Sequence, residues 1–139
     1  MNVLVDTNVI SELRRGRNAA TGVITWFAAM PAENVFTSVI VLGEIRRGIE
    51  LLAVRDKLQA DALAQWYGTI RERLGDRVLV VDDPVMTLWA KISVPNILPA
   101  YDALIAATAL FHGLIVVTRN TQDYRRTGVA VLNPWDDQP

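Results

Sequence analysis

The sequence contains no cysteine and one histidine, His112. The first absence excludes a disulfide framework, a thiolate metal site and a cysteine nucleophile, and it suits a reducing compartment. The second leaves no histidine cluster of the kind that favours zinc. Apolar runs long enough to span a bilayer are missing, and the start Met1-Asn2-Val3-Leu4-Val5-Asp6 has neither the basic opening nor the length of a secretory signal. A cytoplasmic protein with no membrane association is expected. An excess of either charge is lacking too, since 14 basic and 15 acidic residues leave a net charge of -1. That balance argues against a nonspecific nucleic-acid coat, although a local group of arginines would still suffice to grip a short stretch of backbone. There is no internal repeat and no low-complexity linker, and 139 residues with 51% hydrophobic content suit one domain over residues 1–139. The polar tail from Asp136 to Pro139 is expected to fray.

Periodicity divides the chain into short apolar strands and longer amphipathic helices. Strands are predicted at Val3 to Val5, Val35 to Thr37, Val78 to Val81, Leu114 to Thr118 and Val129 to Leu132. Helical spacing covers Val9 to Arg15, Val23 to Met30, Val39 to Val54, Asp56 to Leu74, a segment ending near Ile92, and Ala100 to His112. The two longest segments suggest a helical hairpin. Asp83-Pro84 reads as a capping carboxylate ahead of a proline at the first helical position, and Gly113 reads as a helix stop. Strands apolar on both sides must be covered on both faces, which predicts an α/β fold with a mostly parallel sheet between helical layers.

Four acids then acquire a location. In an open parallel sheet, ligands collect outside the carboxyl ends of the strands; Asp6 ends the first strand and Asp123 follows the strand ending at Thr118. Either acid alone is equally at home as a turn or cap residue. Glu44 falls on a helical wheel beside Ile40, Val41, Gly48 and Leu51, in the apolar sector. A carboxylate there is neutral, paired with a cation such as Arg47, or a ligand. Asp102 opens a helix whose residues from Ala103 to Phe111 are all apolar except Thr108, so it is either a first-turn acid at the positive helix end or a ligand in an internal site. Ala106 and Ala109 on its side would let neighbouring elements approach closely.

The segments Val5-Asp6-Thr7-Asn8-Val9-Ile10-Ser11-Glu12-Leu13, Gly43-Glu44-Ile45, Asp102-Ala103-Leu104-Ile105-Ala106-Ala107-Thr108-Ala109 and Thr118-Arg119-Asn120-Thr121-Gln122-Asp123-Tyr124 resemble, in order and spacing, the motifs of PIN domains, especially the VapC toxins of bacterial toxin–antitoxin pairs. The resemblance spans essentially the whole chain. It implies a PIN-like three-layer α/β/α sandwich and metal-dependent hydrolysis of RNA phosphodiesters, with Mg2+ or Mn2+ as cofactor. It also implies a cognate antitoxin as partner. By the same resemblance Asp6, Glu44, Asp102 and Asp123 are the catalytic and metal-binding acids, and Thr7, Asn8, Thr118 and Asn120 are the polar residues around them. One departure is the short Ser93 to Tyr101 connection, where the family usually has several more residues. A change in groove depth or partner contacts would follow from it.

The donor chemistry agrees, since four oxygen ligands suit hard Mg2+ or Mn2+. Arg47, Arg119, Arg125 and Arg126 are candidate phosphate contacts. His112 lies about three turns beyond Asp102 and reads as an ordinary helix-end residue, while Trp26, Trp66, Trp89 and Trp135 read as packing anchors. A homodimer is expected through the region that includes Leu58, Leu63, Trp66, Tyr67 and Ile70. Alternatives are a catalytically weak protein-binding module, or a DNA nuclease or phosphatase with the same acidic site. A receiver-type domain fits less well, because Val117-Thr118-Arg119 lacks the lysine expected at an acyl phosphate.

Overall fold

The structure, a computed structural model, describes residues 1–136; the remainder of the tail, 137–139, lies outside the described residues. Its strands are built largely from valine, isoleucine and leucine, which suit a pleated surface buried on both faces. They are β1 (Val3–Val5), β2 (Val35–Ser38), β3 (Val78–Leu79), β4 (Ile115–Val117) and β5 (Val131–Leu132). They form one sheet in the order β3-β2-β1-β4-β5, and every pairing is parallel. Helices α1 (Thr7–Leu13), α2 (Thr21–Ala29), α3 (Val39–Arg55), α4 (Lys57–Leu74), α5 (Asp83–Ile92), α6 (Ala100–His112) and α7 (Thr121–Tyr124) supply the connections. The result is a three-layer α/β sandwich. No helix among the described residues is long and apolar enough to cross a membrane.

The strand order places β1 at the centre, with β2 on one side and β4 on the other, so the chain reverses its direction of winding between β1 and β4. Val5 pairs with Val117, and Asp6 N–H continues the ladder to the Val117 carbonyl at 3.0 Å. That register brings the residues after both strands, Asp6 and Thr118, out side by side at the crevice where such sheets bind ligands. Beneath it the core is dense. Val3, Leu4, Val9, Val41, Val116 and Val117 are buried, as are Ile105, Ala106 and Ala109 of α6. Burial contributes roughly 1.5–3 kcal/mol for each large aliphatic side chain.

Several boundaries differ from the sequence reading for identifiable reasons. Asp82, not Asp83, caps α5: its side chain accepts the Val85 N–H, which puts Asp83 inside the first turn beside Pro84. The buried stripe of α3 runs through Val41, Leu42 and Ile45, whereas Gly48 and Leu51 are exposed, so Glu44 stands at the edge of the apolar stripe rather than within it. Strands β3 and β5 are shorter than predicted. Val80 faces solvent, and Val129 is buried in the loop before β5. The α3–α4 hairpin turns at Asp56, whose carboxylate accepts the Gln59 N–H, and Arg46 ties its arms by donating to the Tyr67 hydroxyl at 2.7 Å.

Candidate active site

Asp6 is the structural centre of the crevice. It leaves β1 in an extended conformation and caps α1, its Oδ1 accepting the Thr7 N–H at 2.7 Å. Its Oδ2 accepts two hydroxyls, from Thr118 at 2.8 Å and Tyr124 at 3.0 Å. The side chain is buried, so those donors offset the desolvation of the carboxylate.

Thr118, immediately after β4, has no exposed surface, and its hydroxyl uses its full capacity of one donor and two acceptor sites. While donating to Asp6 it accepts from Asn8 Nδ2 and from the Asn120 backbone N–H, both at 3.1 Å. Asn8 Oδ1 in turn accepts the Arg119 N–H at 3.1 Å, which fastens the loop after β4 to the first turn of α1. Of the four predicted polar residues, Thr7, Asn8 and Thr118 thus act through side chains, and Asn120 acts through its backbone.

Glu44 reaches the crevice from α3 and accepts the Thr7 hydroxyl at 2.9 Å. Burial raises its pKa, the Thr7 bond lowers it, and the Asp6 charge raises it again. Asp102, in the first turn of α6, is pushed up to about 6. Burial is the largest cause, followed by the charges of Asp6 and Asp123, a hydrogen bond to Asp123 that favours the protonated form, and the charge of Glu44. Asp123 is exposed on α7. Asp102 therefore feels the charges of the other three acids, and Glu44 feels that of Asp6. Arg47 does not pair with Glu44; the ion pairs among the described residues are Arg15–Glu12 and Lys57–Asp61, so none of these four carboxylates is in direct contact with a cation there.

This donor set suits a hard divalent cation, being all oxygen, negatively charged and without a counter-ion. Among the described residues, however, no three acidic or histidine side chains are drawn together closely enough to hold a metal ion as they stand. Glu44 is bonded to the Thr7 hydroxyl, and the Tyr124 hydroxyl touches both Asp6 and, at 3.4 Å, Asp102.

Beside the acids lies an open crevice of about 310 Å³ lined by Arg119, Asn120, Thr121, Gln122, Asp123 and Arg125. Arg119 stacks over the Trp135 ring at 5.0 Å, which braces its guanidinium. Arg125 and Arg126 are exposed on the same side of Asp123 in sequence, and Arg47 is exposed on α3. Tyr124 escaped the sequence reading. It is fully buried, burial and the neighbouring Asp6 charge raise its pKa, and only its place directly after Asp123 hinted at the site.

Comparison with known proteins agrees with this arrangement. Residues 3–129 match the PIN domain model. Toxin FitB of Neisseria gonorrhoeae is 35% identical, with 97% of this chain and 99% of FitB covered. VapC ribonuclease Y4jK of Sinorhizobium fredii is 30% identical, with 96% and 98% covered. The solved structure of FitAB bound to an IR36 DNA fragment superposes with a TM-score of 0.87 at 34% identity, covering 99% of this chain and 98% of that one. With a parallel sheet wound outward from β1, four acids at its switch point and this likeness along nearly its whole length, the chain belongs to the PIN-domain family and is homologous to toxins of the FitB and VapC type.

Proposed function

We propose that this chain is a divalent-metal-dependent endoribonuclease, the toxin of a toxin–antitoxin pair. The observation that supports the reading is that Asp102, near the β1/β4 switch point, is raised by the charges of Asp6, Asp123 and Glu44, with none of the four in an ion pair among the described residues. Its homologues include a protein named as a toxin and one named as a VapC ribonuclease.

Asp6, Glu44 and Asp102 would hold Mg2+ or Mn2+, with Asp123 completing the set directly or through water. When bound, such a cation supplies charge neutralisation at the phosphate and acidifies the attacking water. The chain's own contribution is positional. Thr118 and Tyr124 fix the Asp6 carboxylate, Thr7 steers both Asp6 and Glu44, and Asn8 holds the Arg119 loop against them. Arg119 and Arg125, which line the adjacent crevice, would draw phosphates of the RNA toward the acids, with Arg126 and Arg47 as outer contacts. No covalent nucleophile is required of the protein.

A cytoplasmic setting and a cognate antitoxin that covers the acidic groove belong to the same reading. A homodimer is part of it as well, with a narrower surface than the sequence suggested. Trp66, Tyr67 and Ile70 pack on the core, which leaves Leu51, Val54 and Leu58 exposed around the hairpin turn.

Parallel assays on RNA, DNA and a simple phosphomonoester, with Mg2+, Mn2+ or EDTA, test the catalytic proposal. Selective RNA cleavage abolished by EDTA and by Asp102→Asn is the expected result. Preference for DNA or the monoester, or metal binding without hydrolysis of any of them, would overturn it. Light scattering across concentration tests the dimer, and co-purification with the neighbouring gene product tests the antitoxin.

A further inference from the structure

Among the described residues, Tyr124 is the one buried hydroxyl that touches two of the four acids, and its shape separates packing from chemistry. The ring is fully buried in the hydrophobic core, so a phenylalanine would fill the same space. The hydroxyl adds something that packing does not need. It donates to Asp6 Oδ2 at 3.0 Å and lies 3.4 Å from Asp102 Oδ1. A phenol has one proton, so the shorter bond to Asp6 takes most of it and the Asp102 contact is the looser arm.

A carboxylate offers about four lone-pair directions. On Asp6, Thr118 and Tyr124 occupy both directions of Oδ2, and the Thr7 N–H occupies one of Oδ1. One direction on Oδ1 is left. Without the Tyr124 hydroxyl a direction on Oδ2 would also open, and the carboxylate would no longer be limited to one remaining acceptor direction.

We propose that Tyr124 is a positioning residue for the metal site: its hydroxyl bridges Asp6 and Asp102, confines Asp6 to a single ligating direction on Oδ1 and sets the spacing of the two acids. The inference rests on the metal-dependent reading above. The role belongs to the oxygen, and the rest of the anchoring is independent of it. Thr127 Oγ1 donates to the Tyr124 carbonyl at 2.6 Å and accepts the Val129 N–H at 3.2 Å, so the backbone stays in place when the hydroxyl is removed.

The test is Tyr124→Phe in the full chain, with Tyr67→Phe as the control that removes a phenol on α4, where the hydroxyl touches Arg46 and none of the four acids. Mn2+ binding is measured by calorimetry without RNA, and RNA cleavage is measured as separate kcat and KM. Removing an outer partner of a metal ligand typically weakens affinity or activity about 10–100-fold. Tyr124→Phe is expected to bind Mn2+ at least about tenfold more weakly. It should lose kcat with KM for RNA unchanged and recover turnover at high Mn2+, whereas Tyr67→Phe should match the parent. Parental Mn2+ affinity in folded Tyr124→Phe overturns this inference alone; a parent that binds no Mn2+ overturns the metal reading and this inference with it. Should the variant not fold, 3-fluorotyrosine at position 124 keeps the hydroxyl and reports by 19F resonance. A shift that saturates with Mg2+ at the midpoint of bulk binding supports the bridge, and an unmoved resonance overturns it.

Discussion

Thr118 and Asp6 are 112 positions apart in sequence, yet the Thr118 hydroxyl donates to Asp6 Oδ2 at 2.8 Å with both residues buried. Thr118→Val keeps the shape and removes the donor, and it strips Asn8 Nδ2 and the Asn120 N–H of their acceptor. A hydrogen bond to a charged group is worth about 1.5–3 kcal/mol, so a loss of about 2–3 kcal/mol in urea unfolding is expected. Thr118→Ser retains the network and should lose less than about 1.5 kcal/mol, the scale of a deleted methyl.

Asparagine substitutions at the two acids should part company. At position 102 the amide removes a charge that Asp6, Asp123 and Glu44 repel, and it can donate to Asp123 while still accepting from Tyr124. Asp102→Asn is expected to abolish RNA cleavage, leave the metal-free protein as stable as the parent or more so, and remove most of the melting-temperature increase caused by Mg2+. At position 6 either amide orientation sets an NH2 group against an existing donor, Thr7 N–H on one side or the two hydroxyls on the other. Asp6→Asn should therefore be inactive and also less stable by about 1–3 kcal/mol, the cost of a spoiled buried acceptor. Paired thermal melts and cleavage assays separate the two.

The raised acids also predict a pH dependence. Asp102 binds its proton more tightly folded, near pH 6, than unfolded, near 3.8. The folded state then carries more protons between those values, so unfolding free energy falls as pH rises through that window and levels off above it. Glu44 is shifted in the same direction. In EDTA, the parent's stability relative to Asp102→Asn should decline from about pH 4 to about pH 6. Saturating Mg2+ should remove the decline. A flat difference between parent and variant in EDTA would contradict it.

Gly113 offers a test away from the site. It ends α6 in the left-handed region at φ 68° and ψ 36°, and a Cβ there would meet nothing within 4 Å. The cost of Gly113→Ala is then backbone strain alone, about 1–2 kcal/mol, and Gly113→Asn should cost less. Cleavage by either variant should remain at parental level under conditions where it is folded.

The architecture was legible because β1, β4 and α6 are apolar on nearly every side, a pattern that only burial between layers accommodates. The candidate acids were picked out partly as charges beside apolar runs and partly by the resemblance to PIN motifs, and Glu44 turned out to stand at the edge of its apolar stripe. What escaped was set by contacts between distant segments. Whether Asp82 or Asp83 caps α5 depends on which reaches the Val85 N–H. Leu51 has the right helical period for the core, yet the buried stripe of α3 ends at Ile45 and Leu51 is exposed. Tyr124 looks like any aromatic anchor until its hydroxyl is found against residues 118 and 22 positions away.

The winding of the sheet outward from β1 also fixes when a growing chain becomes competent. Asp6 and Glu44 are made early, but the strand that flanks β1 at the crevice, and the hydroxyls that hold Asp6, come from residues 115–124. A polypeptide that stops just short of Thr118 has three of its four acids and neither of the hydroxyls that fasten Asp6 Oδ2. The order of synthesis thus sets the order of assembly: the Asp6 carboxylate gains its Oδ2 partners only after β4 in the last quarter of the chain has paired with β1.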